Sequence, residues 1–256
     1  MPNPDDFQPN SPAWSDKNLS ENPHAVVDKP ERVEAMFTAI ARKYDLNNRL
    51  HSMWQDQLWR SQAVAAANLK GGEDIVDVAC GTGDLAMAFY KANVGSVIGI
   101  DFTKAMLDLA IVKANIAKYD IDYRQGDAMH LELQDNSADV VSIAFGIRNV
   151  QDPGKAFDEF FRVLRPNGKL IVLEFSTPSN SLIRCCNDFY TKKIMPITAT
   201  IIAGDTSGAY KYLPKSIETF TDAKELAAEI ERAGFTEITQ TPQTFGVCTI
   251  TSAVKS

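Results

Sequence analysis

From residue 75 onward the apolar positions fall into two alternating rhythms. Short apolar runs at 75–79, 96–100, 121–125, 139–144 and 169–174 read as strands. Between them, 84–92, 103–118 and 153–164 carry apolar residues at helical spacing. Strand–helix alternation of this kind predicts a mainly parallel sheet with helices on both faces. Ahead of it, 30–43 is expected to be a helix. Pro30 suits its first turn, and Val33, Met36, Phe37 and Ile40 fall on one face. A second helical stretch carries Leu58, Val64 and Leu69.

The rhythm breaks at 178–220. There Leu182, Ile183, Phe189, Ile194, Met195, Ile197, Ile201 and Ile202 mix with Arg184, Lys192 and Lys193, and an inserted helical cap is expected. A helix at 222–233, ended by Gly234, precedes two closing strands near 236–241 and 245–252, which makes seven strands. Residues 1 to about 28 are rich in Pro, Asn, Ser and Asp and poor in aliphatics. They read as a disordered tail before one domain over 29–256.

Composition narrows the classes. Apolar residues make up 45% of the 256 and charged residues 23%, which is ordinary for a globular core. A formal charge of -7 argues against nucleic acid as a partner, since phosphate binding needs a basic face. The four cysteines have no C-x-x-C spacing and the three histidines are scattered, so no metal is expected and the thiols read as reduced. No apolar stretch reaches a membrane span and the N-terminus lacks a signal pattern, so the expectation is cytoplasmic. Peripheral contact with the inner face of a membrane is left open, as is a homo-oligomer.

The candidate chemistry starts at Val76-Asp77-Val78-Ala79-Cys80-Gly81-Thr82-Gly83-Asp84-Leu85-Ala86, where an apolar run ends in a small-residue turn and becomes helical. Gly81 and Gly83 free the backbone and let a ligand approach closely. The helix opening at Asp84 presents free N–H groups. Asp101 closes the second run 18 positions after Gly83, where an acid binds ribose hydroxyls. Gly126-Asp127-Ala128 closes the third, and Asp127 is placed to accept from an adenine amino group. With Asp101 alone, a nicotinamide enzyme and a methyltransferase are equally good readings. Asp77 and the Asp127 turn favour a Rossmann-like class I methyltransferase holding S-adenosylmethionine. Other methyltransferases of small phenols, or a cofactor-binding subunit without turnover, would keep the same loop.

Further segments extend the pattern. They are Ala39-Ile40-Ala41-Arg42-Lys43-Tyr44-Asp45 with Asn48, Ser52 and Trp59-Arg60; Ala144-Phe145-Gly146-Ile147-Arg148-Asn149-Val150; Arg162-Val163-Leu164-Arg165-Pro166; Leu173-Glu174-Phe175-Ser176; and Tyr210-Lys211-Tyr212-Leu213-Pro214-Lys215-Ser216. Together, over about residues 32–252, they resemble the quinone-biosynthesis C-methyltransferases. The resemblance implies methyl transfer to a ring carbon of a prenylated quinol: demethylmenaquinol, or alternatively 2-methoxy-6-polyprenyl-1,4-benzoquinol of the ubiquinone pathway. It also implies cofactor contacts at Thr82, Asp101, Asp127 and Ala128. Departures are Ala144, where some members have serine, Asn47, His51, Asp56, where histidine is common, and Asn167, where glycine is common. The missing serine leans the reading toward the menaquinone branch.

Arg148, just past the fourth strand, is the first candidate for the phenol site. A permanent guanidinium charge would stabilise a phenolate; a salt bridge to a neighbouring helix is the structural alternative. Tyr44 and Asp45 are placed to close over the cofactor or simply to pack. The apolar 182–203 segment reads as a prenyl channel, a bilayer contact or an ordinary packed cap.

Overall fold

A computed structural model describes residues 12–20, 22–204 and 207–256. Seven strands form one sheet: β1 (Asp74–Val78), β2 (Ser96–Asp101), β3 (Asp122–Gln125), β4 (Ala138–Ala144), β5 (Leu164–Phe175), β6 (Phe235–Gln243) and β7 (Cys248–Lys255). Their order is β3-β2-β1-β4-β5-β7-β6. β7 runs antiparallel to both neighbours and the remaining pairs are parallel. The chain therefore winds outward from β1 in both directions, and the ends of β1, β2 and β4 meet where the winding reverses, the place where such sheets bind ligands.

Alternation along the strands sorts their side chains to two cores. Val76, Val78, Val141, Ile143, Leu170 and Val172 pack with Phe157 and Phe160 of α6 (Pro153–Val163) and with Leu226 and Ile230 of α10 (Ala223–Arg232). Ile75, Val140, Ile171 and Leu173 point the other way, toward Trp59 and Ala63 of α3 (Gln55–Ala66) and Phe89 of α4 (Asp84–Tyr90). Buried on both faces, these strands read as near-continuous apolar runs. The edge strand β3 is mostly exposed and carries Asp122 and Arg124, charges that discourage edge pairing. Asp152 and Asp222 cap α6 and α10 by accepting backbone N–H bonds, which places both helix starts. α5 (Lys104–Ala117) covers β2 and β3.

The N-terminal helix α2 (Lys29–Ser52) extends nine residues past the expected end at 43. Its second half looks polar in sequence, but those polar groups have partners inside: Asn47, buried, donates from Nδ2 to the Tyr210 hydroxyl at 2.7 Å. The 178–220 region folds as α7 (Ser181–Phe189), a π-helical segment over Tyr190–Ile194, α8 (Met195–Ala203) and α9 (Ala209–Thr219). A third core joins it to α2 through Met36, Ile40, Met195, Ala199 and Tyr212.

The expectation of a disordered tail through residue 28 does not describe the residues seen here. Trp14, 1% exposed, stacks on Tyr212 with ring centroids 4.4 Å apart, and a short helix α1 (Asp16–Ser20) follows. One large aromatic ring buries enough surface to anchor an otherwise polar stretch, which average composition hides. Residues 1–11 lie outside the described set.

Candidate functional site

The β1–α4 turn folds as its glycines demand. Gly81 has φ 57° and Gly83 φ 83°, and a Cβ on Gly83 would also overlap the Tyr123 hydroxyl. The Gly81 N–H donates to Asp101 Oδ2 at 2.7 Å, while Asp101 Oδ1 accepts from the Thr103 N–H at 2.8 Å. The acid at the end of β2 is thereby tied to both neighbouring turns. Burial pushes its carboxyl up to about 6, against the pull of those two donors. After β3, Asp127 Oδ1 accepts from the Met129 N–H at 2.9 Å. Inside β1, Asp77 is buried, accepts from the Ser142 hydroxyl at 2.7 Å and is pushed up to about 7 by burial.

These strand ends wall a cavity of about 820 Å³. Among the residues expected to hold a cofactor, Gly81, Asp101, Asp127 and Ala128 line it, as do Ala144, Phe145 and Asn149 after β4 and Phe37 and Tyr44 from α2. Thr82 and Gly83 are not part of this lining. The buried Thr82 hydroxyl donates to Asp45 Oδ1 at 2.6 Å and accepts from Lys113 Nζ at 3.2 Å. Lys113 pairs with Asp45 at 2.7 Å and with Asp84, which Arg49 also reaches at 2.8 Å. Burial alone would raise the Asp84 carboxyl, but Lys113, Arg60 and Arg49 hold it down at about 2. Asp45 thus fastens α2 onto the glycine turn, and Tyr44, one position earlier, sits at the cavity.

A second cavity, about 1230 Å³, adjoins the first. Phe37, Tyr44 and Phe145 line both and form the junction. Its walls are otherwise largely apolar, with Met36, Ile40, Trp59, Phe175, Met195 and Leu213. Arg148 stands in this wall rather than in the first cavity. Its Nη1 donates to Glu174 Oε1 at 2.8 Å and to the Phe145 carbonyl at 2.7 Å, and its guanidinium lies 5.3 Å from the Phe175 ring centre. The ion-pair partner is on strand β5, not on a helix as the structural alternative had it. Both partners are nearly buried, yet Arg148 Nε is buried without a hydrogen-bond partner in the protein. Asn149 fixes the loop, accepting from the Tyr212 hydroxyl at 2.9 Å. The Tyr-x-Tyr segment thereby meets both the α2 motif and the Phe-Gly-x-Arg-Asn motif.

Sequence reasoning did not single out His51, which lines the second cavity. Its Nδ1 is 2.9 Å from the Tyr190 hydroxyl, its Nε2 is buried without a partner, and burial lowers its pKa, so the ring is neutral near pH 7. The signal available was that it departs from the family pattern in the α2 motif. Tyr44 is half-buried and burial raises its pKa, so it stays a neutral phenol. His130 is exposed beyond the Asp127 turn. A third cavity of about 840 Å³ shares Phe175, Asn187, Thr191, Met195, Leu213 and Val247 with the second, so the space continues between the π-helical segment and α9.

A sheet ordered in this way, with a glycine turn after its first strand and acids after its second and third, is the class I methyltransferase fold. Solved structures agree. An S-adenosylmethionine-dependent methyltransferase of Thermotoga maritima superposes with a TM-score of 0.61 at 19% identity, covering 87% of this chain and 99% of that one. One from Aquifex aeolicus gives 0.57 at 18%, covering 77% and 89%. The chain belongs to the ubiE/COQ5 methyltransferase family, whose pattern matches residues 25–255. Curated relatives include the demethylmenaquinone methyltransferase of Thermus thermophilus, 40% identical over 216 residues, 84% of this chain and 97% of that protein. The ubiquinone/menaquinone biosynthesis C-methyltransferase UbiE of Saccharophagus degradans is 34% identical over 235 residues, 90% of this chain and 94% of that protein.

Proposed function

We propose that this protein transfers a methyl group from S-adenosylmethionine to a ring carbon of demethylmenaquinol, giving menaquinol. The observation that carries the proposal is the pair of cavities: one at the strand ends that holds the acids Asp101 and Asp127, and a larger apolar one joined to it at Phe37, Tyr44 and Phe145. Relatives named for demethylmenaquinone, at 36–40% identity, support that acceptor. The second reading, the benzoquinol of the ubiquinone pathway, is favoured by relatives named for both quinones.

The first cavity suits the donor. Asp101 and Asp127 suit ribose hydroxyls and an adenine amino group, and the Gly81 turn leaves backbone open to the amino acid end. S-adenosylmethionine supplies an electrophilic methyl on a sulfonium when bound. Every other task falls to the chain. Asp45 fastens α2 so that Tyr44 and Phe37 close the junction and exclude water. Arg148, with its unused Nε donor, stabilises the phenolate of the reduced acceptor, whose charge activates the neighbouring ring carbon. The phenol proton passes to neutral His51 Nε2, whose ring Tyr190 holds from the other side. After transfer, His51 returns its proton to the oxygen and the ring carbon releases its own to solvent, so aromaticity returns with one proton released overall. Positioning carbon against methyl supplies a large part of the acceleration, about 7–11 kcal/mol in well-oriented systems. The third cavity takes the start of the prenyl tail. Mass spectrometry of cellular quinones after gene removal tests the reading. Accumulated demethylmenaquinone supports it, and a benzoquinone lacking one ring methyl with menaquinone intact overturns it in favour of the second reading.

A further inference from the structure

The inserted helices have two faces of opposite character. The inner face lines the acceptor cavity with Asn187, Tyr190, Thr191 and Met195. The outer face leaves five large apolar side chains in water: Leu182 (72% exposed), Phe189 (62%), Ile194 (40%), Ile197 (62%) and Ile201 (74%). Their spacing is 7, 5, 3 and 4 residues. A step of five would throw an α-helical side chain off the stripe, whereas steps of three, four and seven keep it. That one step, from Phe189 to Ile194, spans the π-helical segment, which closes each turn with one residue more than an α-helix. Removing the extra residue gives 7, 4, 3 and 4, the spacing of a single helix face. The π segment keeps an apolar stripe continuous from α7 into α8.

We propose that this stripe docks the protein on a lipid bilayer surface, with the helices lying in the interface and their inner face roofing the acceptor cavity. The proposal rests on the prenylated acceptor argued above. Lys193, beside Ile194, and Arg184 are both exposed, in a chain whose overall formal charge is -7; local cations beside an apolar stripe suit anionic head groups. The acceptor cavity reaches the surface at Met53, which is 76% exposed, beside Trp54 at 59%. Both residues are left-handed, at φ 51° and 62°, a conformation that bulky side chains rarely adopt. Strain is kept here to hold an apolar chain and an interfacial ring outward at the mouth. No helix among the described residues is long and apolar enough to cross a membrane, so the contact lies on the surface.

The test is flotation of the full chain with phosphatidylcholine vesicles containing phosphatidylglycerol. The parent protein is expected to float. Ile197→Glu with Ile201→Glu is expected to lower the floating fraction about tenfold, leaving turnover of a tail-truncated, water-soluble quinol unchanged. Leu182→Glu with Phe189→Glu, on the other helix, is expected to do the same, so misfolding of one pair cannot account for the result. A parent that stays at the bottom, or glutamate variants that float as well as the parent, overturns the proposal. So does a parent that sediments as a dimer, ignores vesicles and becomes monomeric in the variants, since the stripe then covers a second copy. Flotation that persists in a protein unable to methylate the truncated quinol counts against the proposed reaction instead and leaves the docking surface standing.

Discussion

The two cavities are built in opposite ways. The donor cavity takes its polar groups from strand ends and the turns that follow them, Gly81 after β1, Asp101 after β2 and Asp127 after β3, with Phe37 and Tyr44 of α2 across from them. Each of those polar groups sits within a few residues of a strand, so local backbone geometry places it. The acceptor cavity is walled by side chains from α2, α3, the loop after β4, the inserted helices and the β6–β7 connection, segments up to about two hundred residues apart. Two of its polar groups are held by tertiary contacts: Arg148 by Glu174 and His51 by Tyr190. On the proposed function, a fold shared across a class supplies the donor site, and the additions to that fold supply the acceptor site.

Substitutions in the two regions should separate accordingly. The largest effect is expected at Arg148. Arg148→Ala should lower turnover about 10³-fold while cofactor affinity by calorimetry changes little. It should also cost about 3–5 kcal/mol of stability by leaving Glu174 buried and unpaired. Arg148→Met with Glu174→Gln should recover the stability in urea unfolding but not the turnover. Recovery of both would make the ion pair purely structural.

His51→Phe comes next, with turnover down about 10²-fold. In the parent protein, kcat should fall as pH drops through the lowered His51 pKa, because the proton acceptor must be neutral. A variant that keeps the parental acid limb would assign it to another group.

On the donor side, Asp101→Asn should weaken cofactor binding about tenfold, with kcat at saturation nearly unchanged. Burial raises the Asp101 carboxyl to about 6, so the parent protein should lose affinity as pH falls through that value and the variant should not. Titrations across that range would show the pH dependence vanish.

The smallest effect is on stability alone. Burial raises Asp77 from 3.8 to about 7, so between those values the folded state holds a proton that the unfolded chain has released, and stability falls as pH rises through this window. Asp77→Asn keeps the Ser142 bond and should gain on the order of 2 kcal/mol at about pH 8 and nothing at about pH 4. Equal unfolding curves at both pH values would contradict the buried charge.

The same contrast explains what the sequence could reveal. Strand–helix alternation and the glycine turn are local, and the strands lie within a few residues of their expected positions. The end of α2 was missed because Asn47 gains its partner from Tyr210, far along the chain. The Trp14 anchor depends on Tyr212 in the same way. The bonds of the Thr82 hydroxyl to Asp45 and Lys113 need α2 and α5 in place before they can be read. His51 has an ordinary helical position, and only the fold turns it toward the cavity.

The central claim is that a methyl group crosses from one cavity to the other at the junction that Phe37, Tyr44 and Phe145 line. Incubating the purified protein with S-adenosylmethionine carrying a deuterated methyl and with chemically reduced demethylmenaquinone, followed by mass spectrometry, tests it directly. The account predicts menaquinone with the deuterated methyl on its ring carbon. A protein that binds the donor but leaves the reduced naphthoquinone unlabelled would contradict it.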